Sequence, residues 1–522
     1  MAIFSHVVAS AARSPDRTAV VCGEESLTFR EVVALARKCA AGMHAIGLVR
    51  GDAVAILLPN SISFAIILLA AARLGLVVVP MNTTTGRDAL TTAFVAARVR
   101  ALFAWHAVLK DVLTSPTLLL DGAVQAIGVG GRVEGCHAYE AWLQEAWDDA
   151  AADGPVSSGD SPFILTMTSG STGDPKPILL SQETKIKRAL AAQALYGVEE
   201  GEVILTGTPM YHSLAQRLVL LPLIIGGTAV ILPRFSPQSW LTAVERHRVG
   251  FTIAVSSQIE TIMRSVDPGR QALRSLRCLV SSSAPISREA KLLLKQTVDC
   301  ALHECYGASE ISIATNLSLA QGEAKLHTVG TVCPGVELRI LDDDGQVLPV
   351  GSIGEIACRT PMAFSGYYGN PAATAAAMRD GFFLTGDMGR LDEDGFLVLA
   401  GRKKEIIITG GINVYPGDVE GCLTRHAHVK ECVVLGVADS HLGEAVLAVV
   451  VPHEGVVPDA RDLRRFALRQ LADYQQPMAY EFVDALPRNP MGKIMRRQLA
   501  ERYRDYDATA RMRAILGGRN TA

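Results

Sequence analysis

Between Thr166 and Lys176 the chain reads TMTSGSTGDPK, eleven residues holding five hydroxyl side chains, two glycines, a proline and a lysine. Gly170 and Gly173 permit a positive φ, which lets backbone N–H groups point inward. Thr168, Ser169, Ser171 and Thr172 add hydroxyl donors, and Lys176 brings a mobile positive charge. This donor set suits the oxygens of a polyphosphate. It is not a Walker A loop, because Pro175 stands where Gly-Lys-Ser/Thr would be required. Taken alone, the stretch reads equally well as a Ser/Gly-rich surface turn. Further segments offer complementary chemistry: SSSAP at 281–285, ECYGASE at 304–310, FLTGDMGRLDEDGFLVLAGRKKEIIITGG from Phe383, and PRNPMGKIMRRQL from Pro487. Glu310, following a Tyr-Gly turn, is the kind of ligand a hard cation wants when it bridges phosphates. A lone glutamate is otherwise an ordinary solvated charge.

The elements that must position these residues are legible in the hydrophobic pattern. A β-type run, Phe163 to Met167, enters the loop, and PILLS leaves it as a second strand. From residue 15 to about 300, helical and strand-like stretches alternate: LTFREVVALARKCAAGMHAIG as helix, AVAILLP as strand, SFAIILLAAARLG as helix, VVVPMN as strand. Such alternation predicts parallel sheets covered by helices. From about 330 to 400, short segments such as VELRILDDDGQVLP, GEIACR and GFLVLAGR are punctuated by Asp-Gly turns, which predicts antiparallel hairpins. Beyond GRKKEIIITGG a smaller unit follows, with DVEGCLTRH as helix and VKECVVLGVAD and AVLAVVVP as strands. The charge cluster at Arg402–Lys404 marks the domain boundary. The expected architecture is α/β: a large N-terminal domain of parallel α/β sheets with a small β-barrel-like subdomain, 1–402, and a small α+β C-terminal domain, 403–522.

Composition excludes several classes. With 522 residues, 49% hydrophobic and 20% charged, the chain is globular and long enough for more than one core. A net charge of −3 argues against an extended nucleic-acid surface. Ten cysteines without CxxC spacing indicate neither a zinc site nor a disulfide framework, and suit a reducing cytosol, so a cytoplasmic location is expected. The N-terminus lacks the basic region of a signal peptide. The longest apolar run, from Leu218, is broken by Pro222 and Gly226-Gly227, so no membrane span is expected.

From PDRTAVVCGEESLTFREV to NPMGKIMRRQL, the motifs and their order resemble the adenylate-forming superfamily of acyl- and aryl-CoA synthetases, peptide-synthetase adenylation domains and luciferases. The resemblance implies that Thr168, Ser169, Gly170, Ser171, Thr172, Gly173 and Lys176 hold the outer phosphates of ATP, with Pro177 departing from the family's usual glycine. It implies that Ser283, Ala284 and Pro285 line adenine and that Tyr306 stacks on it, beside Gly307. Ser309, in place of the family's threonine, would contact the α-phosphate, and Glu310 would ligate Mg²⁺. Asp387 would accept both ribose hydroxyls, a task for an ionised carboxylate, and Arg402 would contact ribose or phosphate. Lys404 falls at the family's hinge, Gly410 and Gly411 line its thiol tunnel, and Lys493 is its catalytic lysine, on a mobile lid. Lys403 reads as a solvated charge.

PMYHSLAQRLVLLPLIIGG matches the segment lining the family's acyl pocket, gated here by His212; Gln216 lies one turn on, on the same face, and Ala308 and Gly330 complete the set. Met210-Tyr211-His212 lacks the Phe-Asp pair of α-amino-acid-activating domains, which disfavours α-amino acids. Arg217 is a charge in an otherwise apolar helix; pairing, snorkelling and clamping a second carboxylate are all open to it. The implied reaction adenylates a carboxylic acid with ATP and passes the acyl group to a thiol. No carrier-domain serine motif follows Lys493, so the thiol comes from outside: coenzyme A by default, the phosphopantetheine of an acyl carrier protein as the alternative. A catalytically retired binding protein is the reading of another class, and the joint retention of Lys176, Glu310, Asp387, Arg402 and Lys493 speaks against it. The acid itself, and whether the protein is a monomer or homodimer, do not follow from these residues.

Overall fold

The computed structural model describes residues 1–113, 124–145, 159–168, 176–265, 273–457, 459–489 and 492–517. The chain divides into two compact units. One gathers Met1–Leu326, Cys333–Val336 and Arg359–Met378; the other gathers His327–Val332, Glu337–Cys358 and Arg379–Ala522.

In the first unit, apolar β-branched runs form parallel strands because helices cover both of their faces. One sheet runs in the order Gly366–Tyr367, Lys176–Ser181, Pro162–Thr168, Val77–Pro80, Ala53–Leu57, Val99–Trp105, Gln125–Val129, His137–Ala138. Its pairings are parallel except along Lys176–Ser181, which runs antiparallel to both of its neighbours. The strands on either side of residues 169–175, Pro162–Thr168 and Lys176–Ser181, are thus adjacent and antiparallel. Leu57, Val79, Phe94, Leu102 and Leu165 pack one core of this sheet. Helix Ile62–Leu74 is apolar on all sides and accordingly buried along nearly its whole length.

A second sheet orders Ser312–Ser318, Ala301–Ala308, Cys278–Ser282, Phe251–Val255, Val203–Thr206, Thr228–Ile231, Thr18–Cys22 and Glu25–Thr28. Its interior is parallel, and each of these outer strands is antiparallel to its neighbour. The helix expected from Leu27 begins at Phe29 instead. Leu27 and Thr28 finish a hairpin strand, and Thr28 closes a capping box with Glu31: its hydroxyl accepts from the Glu31 N–H while the Glu31 carboxylate accepts from the Thr28 N–H at 2.7 Å.

In the second unit, Gly354–Arg359, Phe382–Leu391 and Leu397–Arg402 form the antiparallel hairpins that the Asp-Gly turns announce, in a small sheet packed around Leu341, Ala357 and Phe382. The remaining sheet pairs Val429–Asp439 with Gly443–Pro452, antiparallel, and adds Ala479–Phe482 in parallel. Both faces of this sheet are covered. Val434, Val446 and Val450 pack against Val419, Leu423 and Leu463 from two helices, while Val433, Leu447 and Val449 pack against Leu499 and Tyr503. That two-sided burial explains why AVLAVVV shows no polar alternation. Among the described residues, no helix is long and apolar enough to cross a membrane.

Candidate active site

The strands Ala301–Ala308 and Ser312–Ser318 carry the ECYGASE segment, and their register shifts between Tyr306 and Gly307. Tyr306 is buried. Gly307 could not be any other residue, because a Cβ there would sit 1.8 Å from the Ser312 carbonyl oxygen. Ala308 pairs with Ser312, and Ser309 and Glu310 form the turn between the strands. The turn is held at several points. The Glu310 carbonyl accepts from the Arg188 guanidinium at 3.0 Å and from the Phe364 N–H at 2.6 Å. Its carboxylate accepts from the Tyr367 hydroxyl at 3.1 Å. Burial, followed by this charge, raises the Tyr367 pKa, so its proton stays in place.

Glu304 opens the same motif and reaches a second one. It is almost wholly buried, paired with the Lys291 ammonium at 2.5 Å, and its other oxygen accepts from the Ile286 N–H at 3.2 Å. Lys291 in turn donates to the Leu326 carbonyl at 2.6 Å. Burial raises the Glu304 pKa, with Lys291 opposing. One carboxylate thereby ties the 304–310 strand to the Ser283-Ala284-Pro285 segment, which follows the end of strand Cys278–Ser282 with Ser283 at φ 75°. Ser283 and Pro285 are exposed.

His212 caps the start of helix Ser213–Ile225 and stacks with Tyr211, ring centroids 4.3 Å apart. Burial lowers its pKa to about 4, so the ring is neutral at pH 7, and its Nε2 is buried without a partner. Gln216 is fully buried one turn on, and its amide is engaged at both ends: the oxygen accepts from Lys185 at 2.8 Å and the nitrogen donates to the Met210 carbonyl at 3.1 Å. Thr168 and Lys176 are described as backbone only, at the ends of their strands, and Ser169, Gly170, Ser171, Thr172 and Gly173 lie outside the described residues.

The second unit brings Asp387, Arg402 and Lys493 together. Asp387 and Arg402 are opposite one another on paired strands, with Nε to Oδ1 at 3.3 Å. The Asp387 N–H donates to the Thr385 hydroxyl at 3.1 Å, fixing the strand locally. Lys493 counts among the exposed residues, yet crowding around its ammonium lowers its pKa, Arg402 adds to that, and Asp387 and Glu405 oppose it. Its loop is closed by mutual hydrogen bonds, the Asn489 N–H to the Lys493 carbonyl at 2.9 Å and the Lys493 N–H to the Asn489 side chain at 3.0 Å. Arg496 anchors this loop: it pairs with Glu420 and with Glu405, the latter at 3.3 Å, and donates to the Val434 carbonyl at 3.0 Å. Gly410 and Gly411, both at positive φ, make the two-residue turn between Ile407–Thr409 and Ile412–Val414. Lys404 and Lys403 are both exposed, and Lys403 also pairs with Asp343 at 2.9 Å and Glu355 at 3.0 Å. Gly330 is buried in this unit, and its carbonyl accepts from the Leu397 N–H at 2.8 Å.

Arg188, Tyr367 and Lys291 carry no mark in the sequence that singles them out as site residues. Arg188 and Tyr367 reach Glu310 from 122 and 57 residues away, a separation that leaves no local pattern. Arg496 lies inside the PRNPMGKIMRRQL motif, and a second basic residue one turn beyond the lysine is the signal that could have found it.

The family model for AMP-binding enzyme matches residues 7–368, and that for the AMP-binding enzyme C-terminal domain matches residues 418–493. Over 519 residues the chain is 31% identical to a long-chain-fatty-acid–CoA ligase of Bacillus subtilis (strain 168), covering 94% of this chain and 93% of that protein. It is 30% identical to the fatty acid–[acyl-carrier-protein] ligase ScoC of Streptomyces coeruleorubidus, covering 94% and 95%. The crystal structure of ATP-bound MatB from Rhodopseudomonas palustris matches with a TM-score of 0.88 at 28% identity, covering 97% of this chain and 99% of that one. The chain belongs to the AMP-binding enzyme family, and it is an AMP-forming acid–thiol ligase.

Proposed function

We propose that this ligase activates a carboxylic acid as its acyl-adenylate and transfers the acyl group to the thiol of coenzyme A, with Asp387, Arg402 and Lys493 at the centre of the first step. The observation that carries the assignment is the meeting of these three in one unit, a carboxylate and two cations whose fields act on one another. A carboxylate oxygen of the acid attacks the α-phosphorus, the bond to the bridging oxygen breaks, and pyrophosphate leaves. Lys493 sits beside the acid and the α-phosphate and opposes the negative charge that spreads there, which is the main device of phosphoryl-type transfer. Asp387 receives the ribose hydroxyls, Arg402 steadies that carboxylate and faces ribose or phosphate, Tyr306 stacks on adenine, and Ser309 meets the α-phosphate. Glu310 fits a single-carboxylate Mg²⁺ site, because its backbone is fixed by Arg188 and Phe364 while its side chain is half-buried. When bound, Mg²⁺ would neutralise phosphate charge. The serine–glycine loop from Thr168 to Lys176 holds the departing phosphates. In the second step the thiol sulfur attacks the acyl carbonyl and AMP leaves, after residues from 403 onward have moved about Lys404 as a lid and brought Gly410-Gly411 to the thiol.

His212, neutral and half-buried, serves as a gate of the acyl pocket beside Ala308. Coenzyme A is favoured by the long-chain-fatty-acid–CoA ligase relative, and ScoC keeps a carrier-protein thiol as the second reading. Free, largely buried cysteines suit a cytosolic enzyme. Pyrophosphate exchange into ATP over short, medium, aryl and dicarboxylic acids tests the first step. Lys493→Ala is expected to abolish exchange while largely sparing thioester formation from supplied acyl-AMP. Equal loss of both would assign the lysine another role. AMP release with coenzyme A beside release with a holo-carrier identifies the thiol.

A further inference from the structure

Two helices of the first unit, Gln182–Tyr196 and Ser213–Ile225, each bury cations that a helix interior would ordinarily exclude. Lys185 and Arg188 are one turn apart on the first helix, 3% and 2% exposed; Arg217 on the second is 8% exposed. Their hydrogen bonds all go to neutral acceptors. Lys185 donates to the Gln216 oxygen at 2.8 Å, Arg188 to the Met362 and Glu310 carbonyls at 3.0 Å each, and Arg217 to the Ser312 hydroxyl at 2.8 Å. Among the described residues none of the three forms an ion pair with a carboxylate, and the Nε–H of Arg217 is buried with no acceptor. Burial first, then mutual repulsion, lowers the pKa of Lys185, and Arg188 is lowered to about 9 by the same two causes, with Glu310 opposing. Cations so placed want an anion.

The cluster also backs onto the candidate site. Ser312, which holds Arg217, pairs with Ala308, and Arg188 holds the carbonyl of Glu310, so the cations stand directly behind the turn that carries Ser309 and Glu310. His212, five residues before Arg217, offers a second buried nitrogen without a partner, its Nε2. We propose that Arg217, backed by Arg188 and Lys185, forms an anion subsite of the acyl pocket, so that the preferred acid carries a second anionic group, a carboxylate or sulfonate, besides the carboxylate that is adenylated. The inference rests on the acid-activation reading above. A carboxylate or sulfonate oxygen at the vacant Nε edge completes the guanidinium fork, the geometry in which arginine binds such groups best.

The test compares, in the wild-type protein, pyrophosphate exchange driven by a series of diacids and sulfo-acids of increasing length with exchange driven by each diacid's half-ester. At the best length, kcat/KM is expected to favour the doubly charged acid by about tenfold to a hundredfold, the range of one buried charge-assisted contact. Arg217→Met is expected to collapse that ratio toward one, and Arg217→Lys to retain part of it. A wild-type ratio near one, or a ratio that Arg217→Met leaves unchanged, overturns the subsite. Absence of exchange with every acid instead overturns the activation reading itself. The wild-type comparison stands whether or not the variants fold.

Discussion

Removing the ammonium of Lys291 should turn a deeply buried ion pair of the first unit into an electrostatic fault. In Lys291→Met the Glu304 carboxylate keeps the Ile286 N–H but loses its countercharge at 2.5 Å, and the Leu326 carbonyl loses its donor. The carboxyl has one escape, which is to bind a proton, and the work of doing so caps the cost. From its ordinary value of 4.5 to about pH 8, that work is roughly 5 kcal/mol, in the range expected for a broken buried pair. At about pH 5 the protonation work falls below roughly 1 kcal/mol, leaving chiefly the lost hydrogen bond, about 1–2 kcal/mol in all. The sign follows from linkage: a buried acid whose folded pKa is raised destabilises the fold above that pKa and ceases to do so as pH falls through it. All four tryptophans lie between residues 105 and 240 of the sequence, so urea unfolding followed by tryptophan fluorescence reports this unit. Because Glu304 also anchors the segment after Pro285, KM for ATP should rise in the same variant. A destabilisation equal at the two pH values, or under about 1 kcal/mol at the higher one, would refute the reasoning.

Arg496→Met is expected to cost the second unit about 3 kcal/mol by stranding Glu420, and to slow adenylation by at least about tenfold while slowing thiolysis of supplied acyl-AMP less; parallel assays of the two half-reactions check it. His212 has a folded pKa of about 4 against 6.5 when exposed, so its contribution is complete above 6.5 and is lost as pH falls toward 4. His212→Phe should therefore show a shallower loss of stability across that interval than the wild type, and parallel slopes in urea titrations would contradict the burial.

Much of the fold could be read from the sequence because strands and helices here announce themselves by period and length. The runs AVAILLP and AVLAVVVP are apolar without alternation since both of their sheet faces are covered, and their boundaries agree with the observed strands within a few residues. The misplaced start at Leu27 shows the limit: the hairpin strand Glu25–Thr28 is fixed by pairing with Thr18–Cys22, a partner that no window over the helix contains. The site divides in the same way. Residues expected to touch ligand, such as Asp387 and Lys493, sit in contiguous motifs that a reader of the sequence meets directly. Residues that steady them, Arg188 and Tyr367 around Glu310, come from remote segments and were not. Lys403 is an exposed charge, and what the sequence could not show is its pairing with Asp343 and Glu355, 60 and 48 positions upstream.

Arg496 locks the loop of Lys493 onto the helix Pro416–Leu423 and onto Glu405 just past the Asp387–Arg402 strand pair. The backbone that carries Lys493 is therefore tied to that block, and a displacement of the one carries the other as cargo. If Lys493 plays the part proposed above, its charge is brought or withdrawn with the whole block.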